Sequence, residues 1–446
     1  MTHDWTRSAT ARALGIGFLA VLMMIPLFQV QDLVRERRGL EFEARTKIAE
    51  RWGGEQQVAG PVLVVPVRRL ARNGNETVEY DERHVLLPER LQIEGVMETE
   101  RRSYGIYETP VYTAGLRVSG HFDPAAIHAA LAVAGGEPQW KAAVLRVPVS
   151  DVRGIRQVSA LRVDGRELAF GPGSPLAGIA ATEAAWPLDG ALPERAIGFS
   201  FDLRLAGTAT LHVLPLARQT DVELSSVWPD PSFSGAFLPA TRETGAQGFS
   251  ARWQVLDLNR AFAQSWKEDG RETPALAAAA FGVELYQPVD TWQRNERAGK
   301  YGVLFIALTF VALFLFDALG RWRVHPVQYL LVGLALCTFY VVLLALSEQV
   351  GFGIAYFLAA TAVVVIIGGY ARAAARSGTA GATLGGLLVI VYALLYGLVI
   401  SEQYSLLMGA VALLASVAVL MYLTRRVDWY ALGPARIDVP AGMGPR

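Results

Sequence analysis

The chain has 446 residues, 52% of them hydrophobic and 18% charged, and its 41 basic and 41 acidic side chains cancel. A mean hydropathy of +0.30 is too high for an ordinary soluble domain and points to a bilayer. Balanced charge excludes the polyelectrolyte character of a nucleic-acid binder. The single cysteine, Cys337, excludes an internal disulfide, a Cys-rich zinc site and a CxxC redox pair.

The charge is unevenly spread. Residues 1–30 hold two basic residues and one acid, and residues 301–446 hold eight arginines and five acids. The 270 positions between them carry 31 basic and 35 acidic residues, the balance of a soluble domain. A hydrocarbon core of roughly 30 Å needs about 20 apolar residues in helix. Six segments approach that length: 13–30, 301–320, 327–347, 351–370, 378–400 and 404–423. The expected fold class is a membrane protein of six transmembrane helices, one plus five, with a β-rich, sandwich-like domain at 31–299. Residues 1–12 and 424–446 are then short tails.

Orientation follows from arginine. Arg7 and Arg12, Arg321 and Arg323, Arg372 and Arg376, and Arg425 and Arg426 occupy alternate short connections. The connections around Glu348 and Glu402 carry no Lys or Arg. The positive-inside rule puts both termini in the cytoplasm and the large domain in the periplasm. Arg35, Arg37 and Arg38 oppose that assignment, but they open a long translocated segment, where the rule is weak. No small-residue cleavage site follows Pro26, so the first span reads as a retained signal anchor.

Beyond it, residues 31–52 read as a helix continuing outward, with Leu33, Leu40, Ala44 and Ile48 on one face and Glu41–Arg45 and Glu43–Lys47 spaced as ion pairs. From Gly60 strand signals dominate, at 62–67, 77–87, 91–100, 111–122, 142–149, 161–163, 197–205 and 208–216. Asp123-Pro124 predicts a short helix ended by Gly135-Gly136, and Asp257 predicts another to about Lys267.

Patterns that carry chemistry are sparse. There is no P-loop, no Rossmann fingerprint after a strand, no G-x-S-x-G elbow and no H-E-x-x-H pair, and no cofactor is expected. His121, Asp123 and His128 lie close in sequence and read either as residues around a helix cap or as a metal site. The run W-P-D-P-S-F-S-G-A-F-L-P at 228–239 is the most unusual stretch outside the membrane. Its prolines prevent a central strand, and Trp228, Phe233 and Phe237 need burial or a partner. It reads as a rigid packed loop or as a recognition loop, and its serines have no evident base. Asp317, Glu348 and Glu402 are the ionisable candidates of the membrane region, all near span ends. Gly381 and Gly385 form a G-x-x-x-G pair suited to close helix packing, within the bundle or between protomers.

Several stretches resemble the CreD family of inner-membrane proteins. They are K-Y-G-V-L-F-I-A-L-T-F from Lys300, H-P-V-Q-Y-L-L-V-G-L from His325, L-L-A-L-S-E ending at Glu348 and T-R-R-V-D-W-Y from Thr424. The outer domain adds the 228–239 pattern, Gly105-Ile106-Tyr107 and Asp151-Val152-Arg153-Gly154-Ile155, while residues 275–280 have no counterpart. The resemblance spans about residues 12–430. It implies a Gram-negative inner-membrane protein tied to cell-envelope integrity, in some bacteria under the CreB–CreC two-component system, with no catalytic residues to carry over. Two functions are therefore expected. The first is a non-enzymatic envelope protein whose periplasmic domain binds an envelope component or a periplasmic or inner-membrane protein. The alternative is a transporter or flippase built on the last five spans.

Overall fold

The computed structural model describes residues 9–73, 76–188, 192–286, 291–318, 325–401 and 405–425. The chain divides into two compact units. One comprises Met1–Leu40 with Val289–Arg446, and the other comprises Glu41–Pro288.

The first unit is helical. Helix α1 (Ala9–Leu22) is interrupted at Met23 before α2 (Met24–Trp52) begins. Pro26 explains the break: it has no N–H to give the Leu22 carbonyl, and its ring crowds that carbonyl. Residues 31–52 belong to α2 throughout. Two short helices of the other unit, α3 (Pro124–Ala134) and α4 (Thr273–Ala278), intervene in sequence. The series then continues with α5 (Thr291–Ala318), α6 (Pro326–Val350), α7 (Phe352–Ala374), α8 (Gly378–Ile400) and α9 (Ser405–Thr424). Among the described residues, Leu14–Trp52, Trp292–Phe316, Pro326–Val350, Phe352–Ala374 and Gly378–Ile400 are long and apolar enough to cross a membrane. Helix α9 adds the shorter apolar stretch Leu407–Val419.

Local chemistry sets the entry to α6. Pro326 takes the first helical position, His325 Nδ1 accepts from Val327 N at 3.3 Å, and Gln328 Oε1 accepts from His325 N at 2.9 Å. This reciprocal cap satisfies donors that a helix start otherwise leaves open. The bundle interior is aromatic. Phe339 on α6 packs against Tyr356 and Tyr392, at centroid distances of 5.3 and 4.6 Å, and Tyr356 donates to the Tyr392 carbonyl at 2.7 Å.

The second unit carries three sheets of nine, seven and four strands. The nine-stranded sheet is built on the hairpin Arg90–Tyr104 and Tyr107–Phe122, turned at Gly105 with φ +64°. Alternation along its first strand buries Leu91, Ile93 and Met97 and exposes Gln92, Glu94 and Val96. One face is therefore core and the other is open. In the seven-stranded sheet the start of the strand Val62–Asn73 is buried on both faces. Leu63, Val65 and Val67 join the core of the nine-stranded sheet, while Val62 and Val64 pack with Leu214, Leu216, Phe262 and Leu276. The four-stranded sheet runs in the order Gln56–Val58, Thr210–Val213, Phe281–Leu285, Pro231–Gly235.

Asp123 caps α3, accepting from Ala125 N at 3.0 Å, and Gly135 ends it. The helix expected from Asp257 is absent. A single 3-10 turn, Asp257–Asn259, gives way to Ser265–Lys267, which pairs with the strand Glu76–Leu86. The spacing of Leu258, Phe262 and Trp266 mimics a helix. In the structure Leu258 is exposed, while Phe262 and Trp266 meet edge to face at 6.2 Å to cover the sheet end.

Candidate functional site

The segment at 228–239 contains the strand Pro231–Gly235, the terminal strand of the four-stranded sheet, paired among the described residues only with Phe281–Leu285. Its prolines fit this place, because an edge strand has donors to spare. The aromatic rings turn inward. Trp228 is 6% exposed, and its indole N–H donates to the Tyr286 carbonyl at 3.0 Å. Phe233 meets Phe249 and Trp253 edge to face at 5.8 and 5.7 Å, and Phe237 meets Phe281 at 5.7 Å. The Trp253 N–H donates to the Phe237 carbonyl at 3.2 Å. The segment offers to solvent Asp230, its flanks Val227 at 70% and Leu238 at 69% exposure, and a strand edge without a charge of its own.

One neighbour of this segment was invisible in the sequence. Ser234 Oγ lies 2.9 Å from His212 Nε2, so a serine read as lacking a base has an imidazole beside it. The sheet register brings them together: His212 and Ser234 both pair with Gly282, and the side chains meet over the glycine. A Cβ at Gly282 would stand 3.0 Å from the His212 ring and 2.1 Å from the Leu211 carbonyl, so the position requires glycine. Burial holds His212 below the usual histidine value against the opposing pull of Glu284, which keeps the ring neutral at pH 7. Among the described residues no hydrogen bond to the second ring nitrogen of His212 accompanies this contact.

The three residues weighed as metal ligands take structural roles. His121 lies in a strand opposite Arg90 and Gly198, Asp123 is the α3 cap, and His128 packs edge-on against Trp140 at 6.1 Å. No group of three metal-ligating side chains occurs among the described residues.

In the helical unit, Glu348 stands at the end of α6 with its carboxylate 3.5 Å from Arg37, so it closes an ion pair. Glu402 and the side chain of Asp317 lie outside the described residues. Beside the Arg37 pair, Asn295 donates to Ser347 at 2.8 Å, both buried. A cavity of about 30 Å³, room for one water, is lined by Gln31, Asn295, Glu296, Lys300 and Tyr340 among others. Gly381 is in tight contact with α7: a Cβ there would meet the Gly368 carbonyl oxygen at 2.7 Å. The Cβ position of Gly385 is open.

A family model described as Inner membrane protein CreD matches residues 8–430. The chain is 34% identical over 422 residues to the Inner membrane protein CreD of Escherichia coli (strain K12), covering 92% of this chain and 91% of that one. Among solved structures, an M1 zinc metallopeptidase from Deinococcus radiodurans aligns with a TM-score of 0.20 and 10% identity over 38% of each chain, a likeness too slight to carry fold or activity. A family match over nearly the whole length agrees with apolar helices on either side of a β-rich region, and the chain belongs to the CreD family of inner-membrane proteins.

Proposed function

We propose that this multi-pass protein is a non-enzymatic component of the cell envelope, whose β-rich unit faces the periplasm and holds a protein partner at the 228–239 segment. The arginine-bearing connections favour cytoplasmic termini and hence a periplasmic β-rich unit. One observation carries the partner reading. Pro231–Gly235 is a terminal strand of sequence P-S-F-S-G, without a charge of its own, with the exposed Val227 and Asp230 before it and the exposed Leu238 after it. Proteins usually protect such edges with charge or cover. The terminal strand of the nine-stranded sheet, Thr241–Gly245, does carry Arg242 and Glu243 and is exposed throughout. An uncharged edge held rigid by three packed rings suits an added strand, with main-chain hydrogen bonds supplying affinity and the apolar flanks selectivity.

The test is a photo-crosslinking residue at Leu238, irradiated in native membranes, with adducts identified by mass spectrometry. A discrete protein adduct that disappears in Ser232→Lys, which places a charge on the edge, supports the reading. Adducts confined to lipid or to the chain itself overturn it.

A further inference from the structure

In the helical unit, charge gathers where α2 and α5 adjoin their apolar stretches, and most of it is neutralised internally. Arg35 pairs with Asp32 at 2.6 Å, Arg37 with Glu348 at 3.5 Å, and both Arg38 and Lys300 with Glu296 at 2.8 Å. Two arginines in the first turns of α5 stand outside this network. Arg294 and Arg297 are three residues apart, hence neighbours on the helix surface. Both are half-buried, and Arg294 Nε and Arg297 Nη1 are shut off from solvent without a hydrogen-bond acceptor among the described residues. The guanidinium of Arg294 lies 5.9 Å from the ring centre of the buried Phe352, a contact that attracts the cation and leaves its Nε unmet. No described carboxylate comes within ion-pair distance of either arginine.

A buried donor without an acceptor costs roughly 1–3 kcal/mol, more when it is charged. Two side by side mark a place where an acceptor belongs. Arg297 and Arg294 precede Tyr301, where the apolar run begins, by about one and two helical turns. That is the depth of the headgroup layer. The acceptor available there is lipid phosphate, whose oxygens match the guanidinium fork. Of the described acids nearby, Glu296 and Glu348 are already engaged in ion pairs, which favours an anionic headgroup over a zwitterionic one.

We propose that Arg294 and Arg297 form a binding site for the phosphate of an anionic phospholipid. The test uses the full-length protein in detergent, titrated with phosphatidylglycerol, phosphatidylethanolamine or inorganic phosphate, and reads both thermal stability and lipid retained in native mass spectra. The wild-type protein is expected to retain phosphatidylglycerol and to be stabilised by it. Arg294→Gln/Arg297→Gln is expected to bind it at least tenfold more weakly, and Arg35→Gln, at the same end, to bind it normally. Should the double variant fail to fold, each single variant is expected to weaken binding severalfold. Equal retention in wild type and variants overturns the site. Equal stabilisation by phosphatidylethanolamine overturns the anionic selectivity, and equal stabilisation by inorganic phosphate overturns the lipid as its source.

Discussion

His212 and Ser234 are 22 residues apart in sequence, and their side chains meet at 2.9 Å over the Cα of Gly282. The contact ties the edge strand Pro231–Gly235 to a strand it does not pair with, and it forms with the imidazole neutral. Burial lowers the His212 pKa below 6.5, so the unfolded chain binds the proton more tightly than the folded one. His84 has the same sign. Burial is the first cause, Arg69 and Lys267 add to it, and Glu82, whose carboxylate stands 3.7 Å from Nε2, opposes it.

These shifts predict the acid sensitivity of the β-rich unit. Both histidines contribute stability that is fully present above about pH 6.5 and is lost as pH falls toward their lowered folded values. Each can add a slope of at most about 1.4 kcal/mol per pH unit. The apparent Tm is expected to drop between pH 7 and pH 5, and His84→Gln/His212→Gln to flatten that drop. An unchanged slope in the double variant would place the acid sensitivity in the carboxylates instead.

Arg146 supplies a sharper test of the core. It is 1% exposed, and its guanidinium joins Glu183 at 2.5 Å and also binds Glu268. Glu183 in turn accepts from Ser174 N at 3.1 Å. Removing the arginine alone leaves two mostly buried carboxylates facing each other, which costs about 3–5 kcal/mol. Arg146→Ala is therefore expected to lower the Tm markedly, while Arg146→Met/Glu183→Gln/Glu268→Gln recovers most of the loss. Thermal unfolding of the two variants beside wild type checks both halves.

The 228–239 segment shows how far the sequence could be read. Its prolines and aromatics read as a packed loop or a recognition loop, and the chain instead forms a terminal strand at Pro231–Gly235. Which side chains face outward depends on long-range register: the rings of Phe233 and Phe237 were claimed by Phe249, Trp253 and Phe281, and the indole of Trp228 by the Tyr286 carbonyl. The helices were legible because apolar runs between arginine-bearing breaks have few other uses. The strand Gln219–Ser226 was not, because its inward positions include Thr220 and Ser226, which blur the alternation. The histidine beside Ser234 left no local signal at all, since only the strand order joins them.

That reading changes how alanine variants of the segment must be interpreted. Trp228→Ala removes a buried ring, a loss of about 3 kcal/mol or more, while Phe233→Ala and Phe237→Ala remove half-buried rings packed against the core, a smaller loss. Leu238→Asp removes nothing from the core. The expected outcome is a lowered Tm for the three ring variants and an unchanged Tm for Leu238→Asp. Only the last then isolates recognition from folding in a complementation assay.

The G-x-x-x-G pair separates by the same reasoning about what a side chain would meet. A Cβ on Gly381 would press on backbone, the Gly368 carbonyl oxygen at 2.7 Å, and on Arg372 Cβ at the same distance, so α8 would have to move off α7. Overpacking of this kind costs about 1–3 kcal/mol. At Gly385 the Cβ position is open, and alanine fits without displacement. Gly381→Leu is therefore expected to lower thermal stability in detergent, and Gly385→Ala to leave it within about 0.5 kcal/mol. The oligomeric state of the same samples distinguishes packing inside the chain from packing between copies. If Gly385→Leu changed the assembly while leaving the monomer's stability intact, the open face of α8 would be an intermolecular one. If Gly381→Leu alone had an effect, the motif would serve only the contact of α8 with α7.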